Sequence, residues 1–219
     1  MTKRTSSLRA MTAIMAAAIF ALALGSAGPV KAGDIIADWN TAKAPTAPEL
    51  KKVTVSPKDT ALIVMDLLTS SCNVERRPRC LDTLAPVAEL IKRARAKGLP
   101  VIHTLSGNGT LETLLKEVAP VAGEPYVKSS VDKFFKTDLE DMLKAKAITN
   151  VILVGTTAEG AVLATAMASA LRGYKVIIPV DGMSAADTYS EQYVAMYLTK
   201  APGVATATTL TRGAMIDIQ

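Results

Sequence analysis

The sequence predicts a three-layer α/β domain in which a mostly parallel central sheet is covered by helices on both faces. Three observations carry that prediction. Short continuous apolar runs of strand length alternate with longer stretches of helical periodicity. The runs show no polar alternation, as expected of strands buried on both faces. Glycines and prolines sit at the boundaries between the two kinds of segment.

The elements follow in order along the chain. The run 61–65 is the first strand and ends at Asp66. Leu84, Val87, Ala88, Ile91 and Ala94 recur at helical spacing, and Gly98 stops that helix. Residues 100–104 form a second strand, and 110–118 a short helix after a glycine-containing turn. The tetrapeptide 137–140 reads as a capping box opening a helix, with Leu139, Met142 and Leu143 on its inner side. Residues 151–154 are a third central strand. The stretch 158–172, rich in alanine and almost uncharged, predicts a buried helix closed by Gly173. Residues 175–180 are a further strand, where Pro179 argues for an edge position or a bulge. A helix over 190–199 and a strand over 204–210 complete the chain. Strand–helix–strand repetition gives parallel pairing with helices on both faces. Ligands of such folds sit beyond the carboxyl ends of the strands. The positions to inspect are Asp66, His103, the turn from Gly155 onward, and Asp181.

The ends of the chain and its charge bound the function. Residues 1–32 read as a secretory signal peptide: Lys3, Arg4 and Arg9 precede an apolar run over 11–24, and Val30, Lys31 and Ala32 supply a small-x-small cleavage pattern. The apolar run is too short to span a bilayer. The expected location is periplasmic or secreted, with no stable membrane association once the leader is removed. Residues 33–58, with Pro45, Pro48 and Pro57, predict an extended N-terminal arm wrapping the domain and anchored by Trp39. Residues 59–219 are then the α/β domain, large enough for its own core. Of 25 basic residues, four lie in the leader, which leaves 21 against 20 acidic ones. The alkaline pI is therefore largely a targeting signal, and nucleic acid is excluded as a partner. Cys72 and Cys80 are the only cysteines, and in an exported chain their spacing suggests a disulfide. His103 is the only histidine, so no metal site is expected, and no cofactor. Arg76, Arg77 and Arg79 read as a solvated loop, and Asp181 as a cap.

Three segments carry a resemblance to a known family. Thr60 to Asp66 is an apolar strand with an acidic end. Lys128 is followed by Asp132, Lys133, Phe134, Phe135, Lys136, Thr137, Asp138 and Leu139. Gly155, Thr156, Thr157, Ala158, Glu159, Gly160 and Ala161 open a stretch that continues to Arg172, Gly173 and Asp181. Over about 60–212 the chain resembles the isochorismatase-like hydrolases, the cysteine hydrolase family, and the resemblance implies their Rossmann-like fold. Family members use an aspartate, a lysine and a nucleophilic cysteine. By resemblance Asp66 is the aspartate and Lys128 the lysine, with Lys133 as the alternative. The cysteine's position, six residues after Gly155, holds Ala161. The resemblance also implies a cis peptide between Thr156 and Thr157 and a homo-oligomer; the expected substrate-binding residues are His103, from its place at a strand end, with Thr156, Thr157, Gly160 and Lys133.

The missing nucleophile leaves three readings open. True isochorismatases also lack this cysteine, and there an aspartate acts as a general acid while water completes hydrolysis. Asp66, protonated through burial, would do the same on a small-molecule substrate. Thr157 stands where those enzymes carry an aromatic residue, which argues against isochorismate itself. The alternative is a catalytically inactive member serving as a small-molecule-binding or structural protein. The third reading relocates the nucleophile to Cys72, which a disulfide would silence.

Overall fold

The computed structural model describes residues 33–219, so the predicted leader lies outside the described residues. The chain divides into two units at Ala44 and Pro45. Residues 33–44 hold turns and one 3-10 turn, Trp39–Thr41. The Asp34 carboxylate accepts from the Ile36 amide at 2.8 Å, and the Thr41 hydroxyl donates to the Asp38 carbonyl at 2.7 Å. Ile35, Ile36 and Trp39 are all exposed.

The second unit begins at Pro45, inside the segment expected to be an arm. Its elements are β1 (Val53–Val55), β2 (Thr60–Met65), α1 (Pro78–Ala96), β3 (Val101–Leu105), β4 (Tyr126–Lys128), α2 (Leu139–Ala145), β5 (Asn150–Thr156), α3 (Leu163–Leu171), β6 (Lys175–Pro179), β7 (Met183–Ser184), α4 (Thr188–Lys200), β8 (Thr208–Thr211) and β9 (Ile216–Ile218). The main sheet runs β4-β3-β2-β5-β6-β8 with parallel neighbours, and β7 pairs with the end of β5. β1 and β9 form a separate parallel pair.

Strand side chains alternate between faces, so each central strand feeds two cores. Ala61, Ile63, Met65, Val151 and Leu153 pack with Leu139 and Leu143 of α2, Ala166 of α3, and Val194 and Leu198 of α4. Leu62, Val64, Ile152 and Val154 pack on the other face with Val87, Leu90, Ile91 and Ala94 of α1 and with Val55, Ile216 and Ile218. Every residue of β2 is buried, which explains its uninterrupted apolar run. The predicted three layers are present.

Four local expectations change. The stretch 110–118 is not a helix but two 3-10 turns, Leu111–Thr113 and Lys116–Val118, because Thr110 and Thr113 satisfy each other locally and Leu114 and Leu115 are extended. The capping box at 137–140 does not form. Asp138 is the N-cap residue without a side-chain bond, and the Thr137 hydroxyl donates to the Lys133 carbonyl. The alanine-rich helix starts with a π-helical turn, Ala158–Val162, before α3. β6 is internal, between β5 and β8, and Pro179 is tolerated as its last residue, beyond the register of β5. The Cys72–Cys80 disulfide is present, with Cα atoms 5.3 Å apart.

Candidate active site

The site is built at the carboxyl ends of β2, β3 and β5. Asp66 follows β2 with a φ of 55°, a left-handed backbone that few non-glycine residues adopt. Its turn is held by the Leu68 amide and the Ser71 hydroxyl, which donate to the Asp66 carbonyl at 2.8 and 2.9 Å. The side chain, only 5% exposed, meets two donors. Thr104 Oγ1, at the end of β3, donates to Oδ1 at 2.7 Å, and Lys133 Nζ donates to Oδ2 at 2.6 Å.

Lys133 is fully buried. All three ammonium donors are used, since Nζ also donates to the Ser130 carbonyl at 2.7 Å and more weakly to that of Ser129 at 3.4 Å. Its backbone is fixed on both sides. The amide donates to Thr165 Oγ1 of α3 at 3.2 Å, and the carbonyl accepts from Thr137 Oγ1 at 2.5 Å.

β5 brings the third wall. Gly155 lies against β2 so closely that a Cβ there would stand 2.0 Å from the Met65 carbonyl oxygen, and only glycine fits. The Thr156–Thr157 peptide is cis, as the resemblance implies. Thr157 Oγ1 then accepts from the Gly160 amide at 3.1 Å and closes the π-helical turn. Ala161 is buried on that turn. Thr165, which contacts Lys133, lies four residues on, on the same side of the helix. Val131, from the Lys133 loop, would sit 3.7 Å from a Cβ at Gly160. These contacts set the loop that carries Lys133 against the π-helical turn of Gly160 and Ala161 and the helix that follows it.

Lys128 is corrected. It is exposed at the end of the edge strand β4, and its Nζ donates to the Gly109 carbonyl at 3.0 Å. Lys133 is the lysine that meets Asp66. His103 is also corrected as a pocket residue. Successive β3 side chains face opposite ways, so the Thr104 hydroxyl meets Asp66 while the buried His103 ring turns to Glu124, Nε2 lying 2.9 Å from Oε2. Glu124 also takes a bidentate pair from Arg95 of α1, both bonds at 2.8 Å. Burial pushes the His103 pKa down against the opposing pull of Glu124. Burial likewise works against the Glu124 charge, but hydrogen bonds from Arg95, His103 and the Val121 amide outweigh it and hold that carboxyl below its ordinary range. A neutral His103 therefore donates through Nε2, and Nδ1 is left without a partner. The Thr156 hydroxyl is likewise engaged internally, on the Ser184 carbonyl at 3.1 Å. Asp181 accepts from the Gly213 amide at 2.8 Å, a capping role as expected. Cys72 is held in the disulfide and offers no free thiol.

Sequence reasoning missed Thr104, Thr137 and Thr165. A usable signal for Thr104 was its place as a polar residue at the end of an otherwise apolar strand. Thr137 and Thr165 gave none, because their partners are remote in sequence or are backbone atoms. Among the described residues no cluster of histidine, cysteine or carboxylate side chains could hold a metal ion, and no helix is long and apolar enough to cross a membrane.

A parallel sheet covered by helices on both faces, with a buried carboxylate–lysine pair at its carboxyl end, defines a Rossmann-like α/β class of protein. The family model for the isochorismatase domain matches residues 60–211, and the chain belongs to that family. It is 27% identical over 146 residues to the secreted isochorismatase effector Isc1 of Verticillium dahliae, covering 61% of this chain and 77% of that protein. It is 29% identical over 171 residues to the streptothricin hydrolase of Streptomyces noursei, covering 73% of this chain and 64% of that enzyme. Its fold resembles the crystal structure of a cysteine hydrolase from Pseudomonas syringae pv. phaseolicola, with a TM-score of 0.65 at 20% identity, covering 77% and 95% of the two chains.

Two predictions follow from this geometry. Lys133→Ala leaves the Asp66 carboxylate buried without its cation and should lower the unfolding free energy by about 3–5 kcal/mol. Lys128→Ala should change it by less than about 0.5 kcal/mol. Urea denaturation of both variants checks the contrast, and equal effects would contradict the lysine assignment. For His103, the folded ring stays neutral to lower pH than the unfolded ring, whose ordinary value is 6.5. The unfolded state then binds the extra proton as pH falls, so this contribution is complete above that value and is lost below it. Denaturation between about pH 7 and 5 should show a decline in the wild type that is shallower in His103→Gln.

Proposed function

We propose that this protein is an exported hydrolase acting on a small molecule, with Asp66 as general acid–base and no cysteine nucleophile. The observation that carries the reading is the buried Lys133–Asp66 pair beside the turn that bears Ala161. Replacing a buried ion pair by apolar side chains is often neutral or stabilising, so stability alone gives little reason for such a pair in this core. Its chemistry gives one.

Both Asp66 oxygens accept hydrogen bonds, one from Thr104 Oγ1 and one from Lys133 Nζ, which fix the carboxylate beside a cation. In this proposal the first act of Asp66 is that of a base that takes a proton from water, in place of the acid-first role expected of it. A water molecule takes the place left by the absent thiol above Ala161. Asp66 removes one of its protons as the oxygen attacks the electrophilic carbon of the substrate. The bond from that carbon to its leaving heteroatom breaks, and the same proton passes from Asp66 to the departing group. Lys133 holds the carboxylate in place and offsets its charge throughout.

Export is supported by the Cys72–Cys80 disulfide and by similarity to a secreted relative. The proposed compartment is the periplasm or the medium. The proposed partner is a small-molecule substrate, without nucleic acid. Exposed apolar side chains such as Leu171, Phe135 and Tyr189 favour a homo-oligomer. A second reading, an inactive member that binds a small molecule or serves a structural role, is favoured by one observation, the alanine at position 161.

The test is a turnover screen of amides, esters and vinyl ethers by mass spectrometry, with the wild type and Asp66→Asn side by side. At least one substrate should be hydrolysed by the wild type and lose about 100-fold or more in rate with Asp66→Asn. No turnover in either protein favours the inactive reading, and equal turnover in both overturns the role given to Asp66.

A further inference from the structure

The loop between Asp66 and α1 carries a cation that the chemistry above does not use. The Cys72–Cys80 disulfide closes this loop eight residues apart, and both sulfurs are buried in the core beneath α1. The loop holds Arg76 and Arg77, and Arg79 follows in the first turn of α1. These three arginines have different surroundings. Arg79 forms a bidentate pair with Glu191 of α4, at 2.9 and 2.5 Å. Arg76 is exposed and makes only a long contact, 3.4 Å, to the Ser70 carbonyl.

Arg77 is half-buried beside the turn that follows Asp66. Its Nη1 donates to the Ser71 carbonyl at 3.1 Å, and Ser71 in turn donates its hydroxyl to the Asp66 carbonyl at 2.9 Å. Its backbone is also pinned, the amide donating to the Asn73 carbonyl at 2.9 Å and the carbonyl accepting from the Cys80 amide at 3.0 Å. The charges of Glu159, on the turn after β5, and of Asp66 both act on the guanidinium. The only side-chain hydrogen bond of Arg77 among the described residues, to the Ser71 carbonyl, sets its guanidinium beside the turn that follows Asp66.

Among the described residues Arg77 forms no ion pair within 4.0 Å, unlike Arg79, Arg95 and Arg172. Burial and the neighbouring Arg76 push its pKa down, so the charge is partly desolvated and only partly compensated. The Asp66 charge is already offset by Lys133, with which it forms a buried ion pair. One of the five guanidinium donors is used in the protein, and the fork that remains matches a carboxylate in two parallel hydrogen bonds.

We propose that Arg77 is the substrate-selecting residue of this site and binds the carboxylate of an acidic small molecule whose scissile bond lies over Asp66. This rests on the hydrolytic reading of Asp66 for the position of the scissile bond, but the carboxylate preference can be measured without turnover. A disulfide-closed loop suits the task, since it holds a long side chain at fixed reach without relying on the rest of the chain. The expected substrates are amide, ester or enol-ether derivatives that carry a free carboxylate a short distance from the reacting carbon.

Calorimetric titration provides the test, with acetate, pyruvate and benzoate set against their neutral amides, on full-length mature protein. In the wild type at least one acid should bind about tenfold or more tightly than its own amide. Arg77→Ala should abolish that preference, Arg77→Lys should keep part of it, and Arg76→Ala should leave it intact. Asp66→Asn should also keep it, which separates the two claims. Loss of turnover evidence with a surviving acid preference sinks the hydrolytic reading alone. Absence of any acid preference in the wild type, or a preference that Arg77→Ala leaves unchanged, overturns the assignment of Arg77.

Discussion

The contact on which the site depends is the buried ion pair between Lys133 and Asp66. A fully buried ammonium is costly to take from water and persists only with its donors satisfied. Here the carboxylate and two carbonyl oxygens surround it. That demand shapes the neighbourhood. The loop before α2 must curl so that Ser129 and Ser130 turn their carbonyls inward, and Thr137 and Thr165 hold the lysine's own backbone. The result is a charged group fixed by the end of β2, its own loop and α3 rather than a flexible lysine on a loop.

The sheet makes this possible by delivering three strand ends to one edge. β2 lies at the centre, with β3 supplying Thr104 on one side and β5 the Ala161 turn on the other. Gly155 lets β5 approach β2 without a Cβ between them. Both faces of these strands are buried, so the framework that carries the pair is stiff. Polar groups occur where the strands stop being covered, which is where parallel α/β sheets place their ligands.

Much of this was legible in the sequence, for definite reasons. Strands buried on both faces leave unbroken apolar runs, so β2, β3, β5 and β6 could be read directly, and Asp66 stood out as the charge that ends such a run. β1, β4 and β9 are three residues long and exist only through remote pairing, so no local pattern announces them. The pocket lysine was ambiguous because a loop between a short edge strand and a helix has no periodicity to fix its register. Lys128 lies on a strand whose alternation points it outward, and Lys133 lies in the turn that follows. The threonine at 137 has the sequence of a capping residue, yet a buried carbonyl of Lys133 is the stronger claim on its hydroxyl. His103 misled for another reason. Its strand ends at the site, but a one-residue change of phase places its ring on the opposite face with Glu124 and Arg95.

The central claim is that the Asp66–Lys133 pair is kept for chemistry and not for stability. The most direct measurement is the unfolding free energy of the double variant Asp66→Asn/Lys133→Met, in which asparagine tolerates the left-handed backbone, beside the wild type, with substrate turnover measured on the same samples. The account predicts a double variant at least as stable as the wild type, within about 1 kcal/mol or better, and without activity. A loss of about 3 kcal/mol or more would contradict it, since the pair would then be a structural element of the core.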